Sequence, residues 1–310
     1  MKIYITVDGG TTNTRVRLVC DGKVVASRHI NVGARNGIDG NDSLKKALKQ
    51  AIGELLDENS LSERDVIRIL ASGMITSEFG LIELPHVNAP AGIAELHESM
   101  AEVDFPEISS VPFVFIRGIR VNSDSLQSVD IMRGEETETV GIMSDTDCIY
   151  ILPGSHSKII EVDSKGRICR FATMLTGEMI SALSQGTILK DAVDLSQSEF
   201  DRDMLIFGYS YANSHGLNNA LFKTRVLKNV LKKSPIEVYS FFIGAVLSDE
   251  INYIISLDPK KIVIGGKKQI REATATILSH NCKAEIVSLD DGAVEISTSL
   301  GMIKIFEYKV

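Results

Sequence analysis

One hairpin pattern occurs twice in this chain at a fixed spacing, and few folds accommodate that. Ile3, Ile5 and Val7, then Val16 and Leu18, then Val24 and Ala26 read as three short strands, punctuated by turns at Asp8-Gly9-Gly10 and Asp21-Gly22. Gly154 follows Gly10 by 144 positions, and Gly166 follows Gly22 by the same number. The offset lays Ile5 on Ile149, Val7 on Ile151, Thr11 on Ser155, Val16 on Ile160 and Leu18 on Val162. Agreement over two turns and three strands reads as an internal duplication rather than a chance match of two hairpins. The 310 residues suit two domains of roughly 150 each.

Strand and helix alternate after each hairpin. Leu44, Ala47, Leu48, Ala51, Leu55 and Leu56 share a helical face behind a cap at Asn41 or Asp42. Val66–Ala71 and Val111–Ile116 read as strands and 134–143 as a helix. The second half has strands at 148–152 and 159–162 and from Arg167. Mostly helices follow, at 177–189, 199–214 and 221–231, then along the apolar run from Pro235 to Ile255. A strand at 261–264, a helix, a strand at 284–287 and a closing helix from Gly292 complete a mixed α/β chain.

The 44% apolar and 24% charged composition is that of a globular protein. A net charge of -8, with clustering of basic residues limited to pairs such as Lys232-Lys233 and Lys267-Lys268, argues against nucleic acid as a partner. Cys20, Cys148, Cys169 and Cys282 have neither zinc-site nor disulfide spacing, which suits a reducing compartment. No signal-peptide core or membrane-length run is present, so a cytoplasmic location without a membrane partner is expected, and a homodimer is compatible with the chain.

Chemistry concentrates at the turns. In Asp8-Gly9-Gly10-Thr11-Thr12-Asn13 the glycines let backbone amides approach an oxyanion and the hydroxyls add donors, while Asp8 suits Mg²⁺. The plain alternative is an ordinary hairpin turn. Pro153-Gly154-Ser155-His156-Ser157-Lys158 repeats the small-hydroxyl logic and adds a cation. Thr176-Gly177-Glu178 opens a helix whose amides can bind phosphate, with capping by Thr176 the alternative. Gly265-Gly266 after a strand lets an adenine lie against backbone, or simply makes a tight turn. Asp130, Arg133, Glu135 and Glu136 offer a general base and a guanidinium for a substrate carboxylate, or merely charges at a helix start. Neighbouring helical residues such as 135 and 136 point about 100° apart, so only one of them should matter greatly to catalysis. His29, His86, His97, His215 and His280 have no ligand spacing and read as surface or core histidines.

These turns resemble the phosphate-1, phosphate-2 and adenosine elements of the actin/hexokinase/Hsp70 ATPase superfamily. Within it the chain resembles the 2-dehydro-3-deoxygalactonokinase family along nearly its whole length. The resemblance is carried by Ser72-Gly73-Met74, Leu84-Pro85, Ala89-Pro90-Ala91, Asp130-Ile131-Met132-Arg133-Gly134-Glu135-Glu136-Thr137 and Thr176-Gly177-Glu178. It implies a two-lobed, ribonuclease-H-like α/β fold with duplicated mixed-sheet domains, 1–140 and 141–310, and a cleft between them. It also implies transfer of phosphoryl from ATP, with Mg²⁺, to the C6 hydroxyl of 2-dehydro-3-deoxygalactonate. Asp8 to Asn13, Gly154 to Lys158, Thr176, Gly177, Gly265 and Gly266 would then bind nucleotide, and Met74, Ser77 and Arg133 the sugar acid. Asp130, Glu135 and Glu136 would supply the base. The segment Ser77-Glu78-Phe79-Gly80-Leu81 departs from the family pattern, which has a basic residue and a tryptophan there. An exopolyphosphatase-like hydrolase and a non-catalytic sugar sensor or scaffold are the competing readings.

Overall fold

The computed structural model describes residues 1–35 and 41–309. The chain divides into two compact units, Met1–Thr146 with Val162–Arg170 and Gly292–Val310, and Asp147–Glu161 with Phe171–Asp291. The closing helix, expected in a lobe spanning 141–310, thus counts with the N-terminal unit.

In unit 1 the expected hairpins are β1 (Ile3–Gly9), β2 (Thr14–Cys20) and β3 (Lys23–Ile30), an antiparallel meander. α1 (Asp42–Glu58) buries Leu44, Leu48, Ala51, Ile52 and Leu55 on one stripe, while Asn41 sits at its N-cap without a side-chain cap bond. β4 (Arg68–Gly73) runs parallel to β1. β5 (Val87–Asn88), α2 (Ile93–Glu98) and β6 (Ala101–Val103) come next, then β7 (Phe113–Phe115), β8 (Ile119–Val121), β9 (Asp130–Met132) and α3 (Glu135–Ile142). The main sheet has the order β3-β2-β1-β4-β7-β6, and β5-β8-β9 form a small second sheet. Between residues 85 and 133 only β7 was expected; strands of two or three residues are too short to show a period of two. The core packs α1 onto Ile5, Val7, Leu18, Ile69, Phe113 and Phe115.

Unit 2 is built on β10 (Cys148–Leu152), β11 (Ser157–Val162), β12 (Ile168–Met174), α4 (Thr176–Gly186), α5 (Arg202–His215) and α6 (Leu217–Asn229), although Val162–Arg170 counts with unit 1. They are followed by α7 (Pro235–Val246), α8 (Ser248–Ser256), β13 (Lys261–Ile264), α9 (Lys268–Asn281) and β14 (Glu285–Ser288), and α10 (Asp291–Phe306) ends the chain. The strand order is β12-β11-β10-β13-β14, with β10, β13 and β14 parallel. Unit 1 has the same arrangement in β3-β2-β1-β4-β7, with β1, β4 and β7 parallel. The duplication first seen as a 144-residue offset is therefore present in the topology. The apolar run expected as one helix bends by 45° at Leu247, where Ser248 Oγ donates to the Ala245 carbonyl at 2.8 Å. Among the described residues no single helix is long and apolar enough to cross a membrane.

Helix pairs in each unit meet backbone to backbone. A Cβ on Gly141 of α3 would lie 1.9 Å from the Ser297 carbonyl oxygen of α10, and one on Gly301 would lie 1.9 Å from that of Thr137. In unit 2 the same exchange joins α5 and α7, with Gly208 against Phe241 and Gly244 against Leu205. Gly53 in α1 meets nothing within 4 Å. Gly301→Ala should therefore destabilise the protein by ~1–3 kcal/mol, and Gly53→Ala should stabilise it by ~0.5–1 kcal/mol. Denaturant titration of both variants checks the contrast; equal effects would show that the α3–α10 contact yields easily.

Candidate active site

The first glycine turn follows β1, where a parallel strand meets its loop. Asp8 lies 3.5 Å from Arg15 Nη1, and its side chain is partly exposed. The Gly10 amide donates to Asn13 O at 2.8 Å and closes the turn, leaving Thr11, Thr12 and Asn13 exposed. Ala34 N and Arg35 N donate to the carbonyls of Gly10 and Thr11 from behind.

Two further segments come to this turn. Gly73, at the end of β4, has φ +86°, and a Cβ there would lie 2.5 Å from Gly9 O. Gly134, which precedes α3, has φ +108° and would place a Cβ 3.3 Å from Gly73 Cα. The ends of β1 and β4 and the start of α3 therefore touch through positions that no side chain can occupy.

The four charged residues expected at this helix start have separate environments. Glu136 is fully buried; both its oxygens accept from Gly134 N, at 2.9 and 2.8 Å, and Thr137 Oγ1 donates to it at 3.0 Å. Burial, reinforced by the neighbouring Glu135 charge, pushes its pKa up to about 8. Glu135 is part-exposed and accepts from Arg133 N at 3.1 Å. Asp130, at the start of β9, accepts from Ile131 N at 2.7 Å. Arg133 turns its guanidinium onto the chain itself: Nη1 donates to Thr76 O and Oγ1 at 2.7 and 2.8 Å, and Nη2 to Leu84 O at 2.8 Å. It fastens the 74–84 loop, where Ser77 is buried and donates to Met74 O at 2.7 Å. His86 flanks Gly118 beside Arg133, and burial, then the charges of Arg133 and Arg120, lower its pKa to about 4.

In unit 2 three turns converge similarly. A Cβ on Gly177, the second residue of α4, would lie 2.2 Å from Gly154 O, and Glu178 N donates to Ser155 O at 3.1 Å. Gly266 would place a Cβ 2.3 Å from Pro153 O, while Gly265 N donates to Ile151 O and Lys267 N to Pro153 O. Of the three nucleotide-facing segments expected from sequence here, the Pro153–Lys158 turn thus touches each of the other two. Several of their side chains are committed inward. Lys158 is buried and donates to Thr173 Oγ1 at 2.6 Å. Ser157 and Thr176 both donate to Glu250, so Thr176 does not cap α4, whose N-cap is Leu175. His156 Nε2 lies 3.0 Å from Glu178 Oε1. Glu250 and Arg271, whose Nη1 donates to Gly266 O at 2.7 Å, were not among the expected residues. Glu250 was readable: it falls on the buried stripe of α8 with Leu247, Ile251 and Ile254.

No group of three or more His, Cys, Asp or Glu side chains that could hold a metal occurs among the described residues. A lone carboxylate such as Asp8 fits a magnesium ion held mainly by substrate phosphates and water, rather than a cation caged by protein.

A family model described as 2-keto-3-deoxy-galactonokinase matches residues 8–297. A 2-dehydro-3-deoxygalactonokinase of Escherichia coli K12 is 26% identical over 246 residues, covering 79% of this chain and 77% of the relative. A Sinorhizobium meliloti crystal structure, described as a 2-dehydro-3-deoxygalactonokinase protein, has a TM-score of 0.78 at 21% identity, over 98% of this chain and 100% of that one. The ADPNP-bound activator of 2-hydroxyisocaproyl-CoA dehydratase from Clostridium difficile has a TM-score of 0.54 at 14% identity, over 98% and 95% of the two chains. The last two share the fold of this chain over nearly its whole length. With the family model running from the first glycine turn into the closing helix, the chain belongs to the 2-keto-3-deoxy-galactonokinase family.

Proposed function

We propose that this enzyme transfers the γ-phosphoryl group of ATP to the C6 hydroxyl of 2-dehydro-3-deoxygalactonate, with Mg²⁺ bound chiefly by the nucleotide. The observation that carries the reading is the contact of Gly9, Gly73 and Gly134, which brings the Asp8 turn and the carboxylates at the start of α3 to one place in unit 1. The name of the Escherichia coli relative supplies the substrate. A magnesium ion would neutralise charge on the phosphates, and Asp8 is the residue here that would hold it. Within unit 2, the turn Gly154 to Lys158, Thr176-Gly177 and the turn at Gly265-Gly266 are the segments assigned to nucleotide.

Glu135 is the base in this reading. Of the two adjacent carboxylates that open α3 it is the one that stays accessible, whereas Glu136 is sealed from solvent and holds the Gly134 amide. Asp130 lies on β9, before the turn at Gly134 that brings α3 to Gly73. Arg133 acts by fixing the 74–84 loop and with it Met74 and Ser77, the residues assigned to the sugar acid.

ADP release over a panel of deoxy-keto sugar acids, hexoses and water alone tests the reaction. Turnover should require a sugar acid; equal ADP release with water would make the protein a hydrolase. Asp8→Asn should remain folded and lose most Mg²⁺-dependent turnover, and wild-type kinetics in that variant would reduce the first turn to a structural element. Glu135→Gln should lower kcat by a factor of about 10²–10⁴ with little change in thermal stability, as expected for a lost general base. Comparable turnover in Glu135→Gln and wild type would move the base elsewhere.

Glu136 gives a pH signature with a defined sign. Its folded pKa is raised, so the folded state keeps a proton that the unfolded chain releases, and the protein loses stability as pH rises from about 4.5 to about 8. Glu136→Gln lacks this contribution, so the Tm difference between wild type and variant should shift against wild type between pH 5 and pH 8. A constant difference would show that Glu136 is ionised throughout.

A further inference from the structure

Glu250 is 2% exposed, and its two oxygens are divided between two hydroxyls. Ser157 Oγ donates to Oε1 at 3.0 Å and Thr176 Oγ1 donates to Oε2. Burial raises its pKa, and the two hydroxyl bonds oppose the rise. Ser157 ends the second phosphate turn and begins β11; Thr176 is the first residue of α4. Both are themselves buried, at 0% and 4% exposure. The carboxylate thus joins, from behind, the same two segments that touch in front through Gly154 and Gly177.

We propose that Glu250 is a positioning residue for the triphosphate of ATP, holding the Pro153–Lys158 turn and the start of α4 as one rigid cradle. The proposal rests on the reading that these two segments face the nucleotide. For folding alone, apolar side chains at 157, 176 and 250 together would serve as well, because a buried carboxylate carries a desolvation penalty, whereas replacing Glu250 by itself leaves two buried hydroxyls without their acceptor. What the carboxylate adds is direction. Accepting from both hydroxyls fixes the side-chain rotamers of Ser157 and Thr176, and with them the backbone amides beside Gly154 and Gly177 that can meet phosphate oxygens. Ser157 and Thr176 consequently contribute their backbone to the nucleotide, since their hydroxyl hydrogens are directed to Glu250.

Equilibrium titration with Mg·ATP, which needs no turnover, and steady-state kinetics on the full chain test this. Glu250→Met removes both acceptors at similar length, Glu250→Gln keeps one, and Thr176→Val and Thr176→Ser remove and retain the partner hydroxyl. Glu250→Met and Thr176→Val should each raise the ATP Kd and KM at least ten-fold, with the sugar-acid KM within two-fold of wild type. Glu250→Gln should fall between, Thr176→Ser should restore wild-type affinity, and the Met/Val double variant should be no weaker than either single one. Folded variants that bind ATP within two-fold of wild type, or a Thr176→Ser variant as weak as Thr176→Val, would overturn the proposal. Should the Glu250 variants not fold, the Thr176 pair decides alone. Wild-type protein that binds no ATP removes the nucleotide reading itself, and the proposal with it. ATP affinity that is insensitive to Glu250 removes the positioning role alone.

Discussion

Direct contact of backbone with backbone is the constraint on which both units depend. The ends of β1 and β4 can face one turn only because Gly73 brings no side chain between them, and the start of α3 reaches the same place because Gly134 brings none either. Unit 2 solves the problem with Gly177 against the Gly154 carbonyl and Gly266 against that of Pro153. Parallel strands point their carboxyl ends in one direction, so loops leaving neighbouring strands crowd together there. Glycine lets these loops meet there without side chains between them. The helix pairs α3–α10 and α5–α7 use the same device away from the turns, which makes their packing intolerant of any added methyl group.

Buried and part-buried ionisable groups then fix what the glycines bring together. Arg133, Glu136, Glu250 and Arg271 all direct polar groups at nearby turns: Arg133 at the Thr76 and Leu84 carbonyls, Glu136 at the Gly134 amide, Glu250 at two hydroxyls and Arg271 at the Gly266 carbonyl. A charge removed from water is unfavourable unless its hydrogen-bonding capacity is met, so each of these groups has few acceptable geometries. Restricting geometry is what a phosphoryl-transfer site needs, because such catalysis rests on orientation and preset electrostatics more than on covalent chemistry.

The sequence was most informative where periodicity and glycine coincide. The 144-residue offset located β1, β2 and β3 against β10, β11 and β12, and the strand orders of the two sheets bear it out. The α1 stripe, Pro235 at the first turn of α7, and the turn at Gly265-Gly266 were equally visible. The small sheet β5-β8-β9 was not, because strands of two or three residues carry no pattern. The break between α7 and α8 was hidden within a largely apolar run, at a serine whose hydroxyl bonds to backbone. At the site, residue type indicated chemistry without direction. Arg133 suits a carboxylate, and Ser157, Lys158 and Thr176 suit a phosphate, yet all four point their polar groups at other parts of the chain. Which donor faces a ligand depends on tertiary packing, and periodicity does not encode it.

The two copies of the hairpin have diverged in a way that assigns them different tasks. Under the 144-residue offset Asp8 falls on Leu152, Gly9 on Pro153, Gly10 on Gly154 and Thr11 on Ser155. Gly10 and Thr11 keep small residues at Gly154 and Ser155, whereas Pro153 has no backbone N–H to match that of Gly9. The carboxylate is kept in one copy only: Leu152 is buried in β10, while Asp8 remains partly exposed beside Arg15. The second copy carries a lysine after its turn, at 158, where the offset lays Thr14 of the first copy. The two turns therefore differ in an aspartate at 8 against a leucine at 152, and only the first has a carboxylate of the kind that suits a hard cation.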